Sequence, residues 1–440
     1  MNDLMTTQKV NVIGAGLAGC EAAWQIAERG IGVDLYDMKP NKFTPAHKSN
    51  DLCELVCSNS FKAERTDSAA GLLKEELRRL GSIVVRCADK CKVPAGGALA
   101  VDREKFSKMV TEKIKTHPKI NLISKEIFDI PDGITIIATG PLTSDALAKK
   151  ISDICGDSLS FFDAAAPIVT FESVDMDHAF FASRYGKGDG FDYLNCPLSE
   201  EEYTEFYNNL VSAQRAPLHD VDVMNPKVYE GCMPVEVMAG RGFDTLRYGP
   251  MKPVGLRDPK NPEKRPFAVV QLRKENSEGT LYNMVGFQTN LKFPEQRRVF
   301  GLIPALKNAE IVRYGVMHRN TFINSPKLLS TDYSMRKNSN LFFAGQITGV
   351  EGYMESVSSG LVAGINAALK AQHKESIIFP NFTMIGALSN YMSSFEGEDF
   401  QPMGANFGVL PPLATTIRDK KQRYAEFARR SLDYFETEDD

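Results

Sequence analysis

The segment VNVIGAGLAG, residues 10–19, constrains this chain more than any other. Val10, Val12 and Ile13 have the apolar pattern of a short buried strand, and Leu17 to Arg29 reads as a helix that stops at Gly30. Between them Gly14, Gly16 and Gly19 form G-x-G-x-x-G, the fingerprint of a dinucleotide-binding βαβ unit. Gly14 turns the chain sharply, Gly16 places no Cβ in the path of a pyrophosphate, and Gly19 lets the helix press onto the strand. The helix N-terminus then offers unpaired N–H groups and partial positive charge to phosphates. Ala15, Leu17 and Ala18 complete the predicted cofactor-binding turn. A second strand, residues 32–36, leads into Asp37, about 20 residues past the first glycine, where a ribose-binding carboxylate belongs.

A chain of 440 residues predicts two or three domains. No run of 18 apolar residues appears, which predicts no membrane span, and MNDLMTTQK at the start lacks the apolar core of a secretory leader. The eight cysteines, 20, 53, 57, 87, 91, 155, 196 and 232, then read as thiols of a cytoplasmic protein. Cys53/Cys57 and Cys87/Cys91 have C-x-x-x-C spacing without a histidine at metal-ligand spacing, so no metal is expected. Net charge is −4, against a nucleic-acid partner for the chain as a whole. The stretch 241–274 departs from that balance. It sets Arg241, Arg247, Lys252, Arg257, Lys260, Lys264, Arg265, Arg273 and Lys274 against Asp244, Asp258 and Glu263. This local positive charge fits either a phosphate-binding face or a solvated, loop-rich surface. A second basic run, 418–430, reads as a solvated terminal helix.

Two further elements extend the first. A buried strand at 134–137 enters Ala138-Thr139-Gly140, a turn that recurs in flavoproteins of the glutathione-reductase type. Leu341–Ala344 is another buried strand, ending in Gly345 and Gln346. A helix rich in Ser, Gly and Ala follows, and its small residues predict close packing. Its N-terminus is expected near the flavin pyrimidine, where the dipole favours a reduced, anionic ring. Three such elements in this order predict one FAD. The fold expected is α/β: a discontinuous, glutathione-reductase-like FAD-binding Rossmann domain over 1–190 and 321–440, with a smaller α+β domain inserted over 191–320. No second G-x-G-x-x-G follows a strand, so NAD(P)H is expected to dock transiently.

Cys57, in ELVCSNS, has polar loop neighbours, and Cys232, in EGCMPVE, follows a glycine that opens access. A buried Cys is most often a small hydrophobe, and neither context alone makes one catalytic.

Over almost its whole length the chain resembles the folate- and FAD-dependent tRNA (uracil-5-)-methyltransferases of bacteria, relatives of the GidA flavoproteins. The matching stretches are VNVIGAGLAG at 10–19, TPAH at 44–47, ELVCSNS at 54–60, KVPAGGALAVDR at 92–103, IIATGPLTS at 136–144 and DAAAPIV at 163–169. They continue with YEGCMPVEVMA at 229–239, YGPMKPVGL at 248–256, RYGVMHRNTFINSP at 313–326, LFFAGQITGVEGY at 341–353 and FQPMGANFG at 400–408. Asp37 departs from the family's more usual Glu, and Cys20, Cys53 and Cys87 lie outside its pattern. The resemblance implies C5-methylation of the T-loop uridine of tRNA, position 54. Methylenetetrahydrofolate gives the one-carbon unit to reduced FAD, flavin electrons take it to methyl, and NADH or NADPH re-reduces the flavin. Uracil C5 is a poor nucleophile until a thiolate adds at C6, and its proton must leave afterwards. Carried over to this chain, Cys232 is the nucleophile and Cys57 the base, with the reverse assignment open. Lys252 and Arg257 are the first candidates for RNA contacts. The same chemistry on a 23S rRNA uridine, and an NAD(P)H flavin oxidoreductase without RNA, stay open alternatives; oligomeric state is not legible.

Overall fold

The computed structural model describes residues 9–436 except 45, 157–158, 187–189, 217–232, 260, 264 and 397–399. Its first sheet has the strand order Ser334–Met335, Asn338–Phe343, Thr135–Ile137, Val10–Ile13, Val33–Asp37, Ile120–Ser124. All neighbours are parallel except the Ser334–Met335 edge. The central strands are buried and apolar, as a parallel sheet covered on both faces requires. Thr135–Ile137 sits between Val10–Ile13 and Asn338–Phe343 and runs parallel to both, so all three glycine-bearing turns leave the same end of the sheet.

The helix Leu17–Glu28 runs back over this sheet and is met by the helix Tyr353–Ala371. The small residues expected to allow close packing do so against this neighbour: a Cβ on Gly360 would lie 2.3 Å from the Ala18 carbonyl oxygen, and one on Gly364 2.7 Å from that of Ala22.

A second sheet is antiparallel, in the order Phe180–Phe181, Tyr193–Leu198, Ala268–Lys274, Leu281–Met284, Ile168–Thr170, Ile311–Arg313. It encloses its own apolar core, which includes Leu194, Phe206, Val270, Met284 and Phe287. Ile168–Thr170 and Phe180–Phe181 belong to this sheet although they precede residue 191, because alternation and turn signals there are too short to mark a change of sheet. The strands Leu159–Ala164 and Met317–Phe322 pair with each other and carry the chain between the two units.

Candidate functional site

The glycine turn, the end of the second strand and the turns after Ile137 and Ala344 surround one cleft, about 1200 Å³ counted out to its open mouth. Gly14, Ala15, Gly16, Leu17, Ala18, Asp37, Thr139, Gly140, Gly345 and Gln346 all line it. Gly19 stands behind. A Cβ there would fall 1.7 Å from the Gly14 carbonyl oxygen, so its role is to let the helix approach the turn. Gly14 has φ 100°, and a side chain would strike Ala138. At Gly16 a Cβ would meet nothing of the protein within 4 Å; the space it would enter is the cleft. The helix that starts there has no side-chain cap and no acid in its first turn. Its free N–H groups and dipole thus face the cleft uncompensated, and the residues present fit a dinucleotide pyrophosphate.

Asp37 has a structural task as well. Oδ2 accepts the Ala15 N–H at 3.0 Å and Oδ1 the Lys39 N–H at 2.9 Å, which ties the glycine turn to the second strand. Each carboxylate oxygen keeps acceptor capacity for a ribose hydroxyl. The Gly345 N–H donates to Ser359 Oγ at 2.7 Å, and Gln346 Nε2 to Glu351 at 3.0 Å. The helix Tyr353–Ala371 differs from expectation in one respect. Glu355 occupies its first turn, buried, accepting from Lys62 Nζ at 3.1 Å and the Ala405 N–H at 2.9 Å. Its dipole is therefore shared with a carboxylate rather than reserved for a ligand.

At the Tyr353 end the cleft meets the ELVCSNS segment. Tyr353 lines the cleft, and its Oη accepts the N–H groups of Cys57 at 2.9 Å and Ser58 at 3.1 Å. Burial, and the neighbouring Cys57, push the phenol well above its usual range, so it is a neutral O–H near pH 7. Three arginines grip the same segment. Arg103 donates to the Leu55 carbonyl and pairs with Glu275, and Arg313 donates to the Val56 carbonyl. Arg273 reaches Ser58 Oγ at 3.0 Å and Asn59 Oδ1 at 2.9 Å. Burial alone would lower the Arg103 guanidinium. Glu275, with Tyr353 and Cys57 close by, outweighs it and the guanidinium is raised.

The sequence reading did not single out these groups. Arg103 closes the quoted stretch KVPAGGALAVDR and Arg313 opens RYGVMHRNTFINSP, so position within a matched motif was the available signal. Arg273 stood in the basic stretch as a surface charge. It is instead 6% exposed, inside the clamp.

Cys232 lies outside the described residues, as do Lys260 and Lys264. The chain after Cys232 is firmly held: Glu236 is buried and accepts from Thr289 Oγ1 and the Asn290 N–H, both at 2.8 Å. Cys20, Cys53 and Cys87 are buried in the first core, and burial pushes Cys87 up to about 11. They behave as small hydrophobes. Lys252 is half-buried and Arg257 exposed on the inserted unit. Arg247 is spent internally, stacked 3.6 Å over the Phe267 ring.

A parallel sheet with a glycine-turn cleft, and a cysteine loop held at its end by arginines of both units, define an α/β protein of the dinucleotide-binding class whose second unit meets the rim of that cleft. Residues 9–375 match the family described as glucose inhibited division protein A. The chain is 61% identical over 425 residues to the methylenetetrahydrofolate–tRNA-(uracil-5-)-methyltransferase TrmFO of Acetivibrio thermocellus, covering 96% of this chain and 97% of that one. It is 58% identical over 430 residues to the protein of that name from Halalkalibacterium halodurans, covering 98% of each. The chain belongs to the glucose inhibited division protein A family, and within it to the group of these full-length relatives. Among solved structures it resembles Aquifex aeolicus GidA, with TM-score 0.68 and 16% identity over 98% of this chain and 74% of that one. That likeness concerns the fold. No described helix is long and apolar enough to cross a membrane.

Proposed function

We propose that this chain binds FAD in the glycine-turn cleft and methylates C5 of a uridine in tRNA, the T-loop position 54, using methylenetetrahydrofolate, with NADH or NADPH restoring the reduced flavin. The observation that carries the reading is the meeting of the cleft and the Cys57 loop at Tyr353. Identity of more than half of all positions to relatives of that name supports the substrate. A cytoplasmic location fits this substrate.

In this reading Gly14, Gly16 and the N-terminus of Leu17–Glu28 hold the pyrophosphate, Asp37 the ribose, and Thr139, Gly140, Gly345 and Gln346 the remaining edges. FAD, when bound and reduced, supplies the electrons that bring the transferred carbon to the methyl level. The protein's own part is to make C5 nucleophilic. The Cys232 thiolate adds to C6, forming a C–S bond and moving the electron pair toward C5 and O4. After C5 has taken the carbon, Cys57 removes the C5 proton, and the C–S bond breaks as the 5,6 double bond returns. The Arg103, Arg273 and Arg313 contacts hold the Cys57 loop in register for that transfer. Lys252 and Arg257 serve phosphate contacts.

RNA carrying 5-fluorouridine tests this, because fluorine at C5 does not leave as a proton does. Wild-type protein with FAD and methylenetetrahydrofolate should give an RNA adduct that survives a denaturing gel. Cys57→Ala should also trap RNA, and Cys232→Ala should not. Trapping by Cys232→Ala but not by Cys57→Ala exchanges the two roles. Release of tritium from 5-tritiated uridine in rRNA but not in tRNA would move the substrate to the ribosome. Release from neither overturns the reading.

A further inference from the structure

A second cleft lies on the inserted unit, between the turn Arg184–Gly186 and the segments 253–257 and 265–266, with about 1180 Å³ counted out to its mouth. Hydrogen bonds tie its walls together. Arg184 Nη1 donates to the Val254 carbonyl at 2.7 Å, Arg184 Nε to Gln271 at 3.1 Å, and the Tyr185 N–H to the Gly255 carbonyl at 3.0 Å. Tyr185 has φ 58° and ψ 26°, a left-handed conformation that non-glycine residues seldom adopt. One edge of its ring lies so close to Gly255 that a Cβ there would come within 2.8 Å. Even so, Tyr185 is 63% exposed and Val254 beside it 55%. The backbone thus accepts strain to present an aromatic ring to solvent.

Arg257 and Arg265 line the same cleft and are exposed. Neither has an ion pair or hydrogen-bond partner among the described residues, and no acidic side chain lines the cleft among them. An open aromatic face flanked by two unpaired guanidiniums, on a chain of net charge −4, matches the chemistry of a base stacked between phosphates. A peptide ligand would leave one of these two features unused unless it were both acidic and aromatic.

The cleft is also placed for it. The strand Ala268–Lys274 carries Gln271, which meets Arg184, and Arg273, which meets Ser58 and Asn59. Residues two apart on a strand share a face. The cleft and the Cys57 loop therefore sit on one face of the second sheet.

We infer that this cleft is a single-nucleotide subsite for unpaired RNA, in which Tyr185 stacks a base and Arg257 and Arg265 take its flanking phosphates. The inference rests on RNA being the substrate and adds where an unpaired nucleotide near the target is gripped.

The experiment uses the full-length FAD-loaded protein, an unmodified tRNA transcript and a fluorescein-labelled oligouridine, with affinity measured across a salt series. Tyr185→Gly suits the left-handed backbone, so it removes the ring while easing the turn. It should weaken binding of both RNAs about tenfold, leave the salt slope unchanged and keep or raise thermal stability. Tyr185→Trp should bind as the wild type does. Arg257→Ala and Arg265→Ala should each lower the slope by about 0.7. With tRNA as substrate, Tyr185→Gly should raise KM and leave kcat within about twofold. Wild-type affinity and KM in Tyr185→Gly overturn the subsite while the proposed reaction stands. Failure of the wild type to bind either RNA removes both. Loss of self-association in Tyr185→Gly, with RNA binding intact, would make the cleft a contact between copies of this chain and also overturns the subsite.

Discussion

At the scale of single residues, the glycine turn shows how one motif divides its work. Gly14 and Gly19 answer to the protein, since side chains there would strike Ala138 or the turn itself. Gly16 answers only to the ligand. Gly16→Val should therefore fold, with far-ultraviolet circular dichroism like the wild type, and purify with little flavin; full flavin content in this variant would remove the pyrophosphate from the cleft. Asp37 combines the two roles, so Asp37→Ala should lose cofactor and also destabilise the turn. Two buried-end N–H groups, Ala15 and Lys39, are left without their acceptor, at about 1–3 kcal/mol each where water cannot reach them. Thermal unfolding of the flavin-free proteins reads this term separately from binding. These residues were legible because the motif dictates backbone geometry locally. Arg273 was not, because nothing in a list of basic residues says which guanidinium turns inward. Its destination depends on Asn59, distant in sequence, and appears only when the second sheet meets the Cys57 loop.

Among elements, the helices show both success and its limit. Leu17–Glu28 falls within a residue of the helix read from the sequence, and Ala69–Arg79 and Arg103–Thr116 start where the side chains of Ser68 and Asp102 cap their first turns. The terminal helix, Lys420–Glu436, reads from charge as a solvated end, yet Phe427, Ala428, Ser431 and Phe435 are buried. Phe427 packs on Phe407 and Phe435 on Phe379, and Glu76 anchors the helix between them. Its carboxylate accepts the N–H groups of Met384 and Ile385, both at 2.7 Å, at the start of the helix Met384–Ser394, and the hydroxyl of Ser431 at 2.5 Å. One buried acid thus gathers three helices, and an acid inside a predicted amphipathic helix gives no sign of that in sequence. Burial raises Glu76 to about 7. Because the folded state holds this proton more tightly than the unfolded chain, the stability it brings is complete below about pH 4.5 and lost as pH rises through about 7. Glu76→Gln keeps an uncharged group in place, so its Tm relative to wild type should climb between pH 5 and pH 8. A difference in Tm that stays level over that range would show that the site does not titrate there.

For the whole molecule, the central fact is that two separate cores are joined by a pair of strands and by polar contacts, several of them around the Cys57 loop. Composition and motif order indicate an inserted unit, and say nothing of how it is fastened. Fastening includes Arg103 to Glu275, Arg273 to Asn59 and Ser58, and Asp102 to the Ser277 N–H and hydroxyl, beside the Gly96 N–H to Asp192 and Tyr193 to the Ala95 carbonyl, so two of the residues that seat the second unit, Arg103 and Arg273, also hold the loop beside the glycine-turn cleft. Stability of the junction and geometry of the site are then not independent. Arg103→Met leaves the Glu275 side chain, 5% exposed, as a buried charge without its partner. Breaking such a pair costs about 3–5 kcal/mol, whereas replacing both members by apolar groups is often neutral. Denaturant unfolding should therefore find Arg103→Met strongly destabilised and Arg103→Met/Glu275→Leu close to wild type. The activity of the double variant should nevertheless stay low, with its flavin retained, because the Leu55 carbonyl has lost its donor and the Cys57 backbone is no longer fixed beneath Tyr353. A double variant that recovers activity along with stability would show that Arg103 serves the junction alone. One that recovers neither would place its main contribution outside the pair with Glu275.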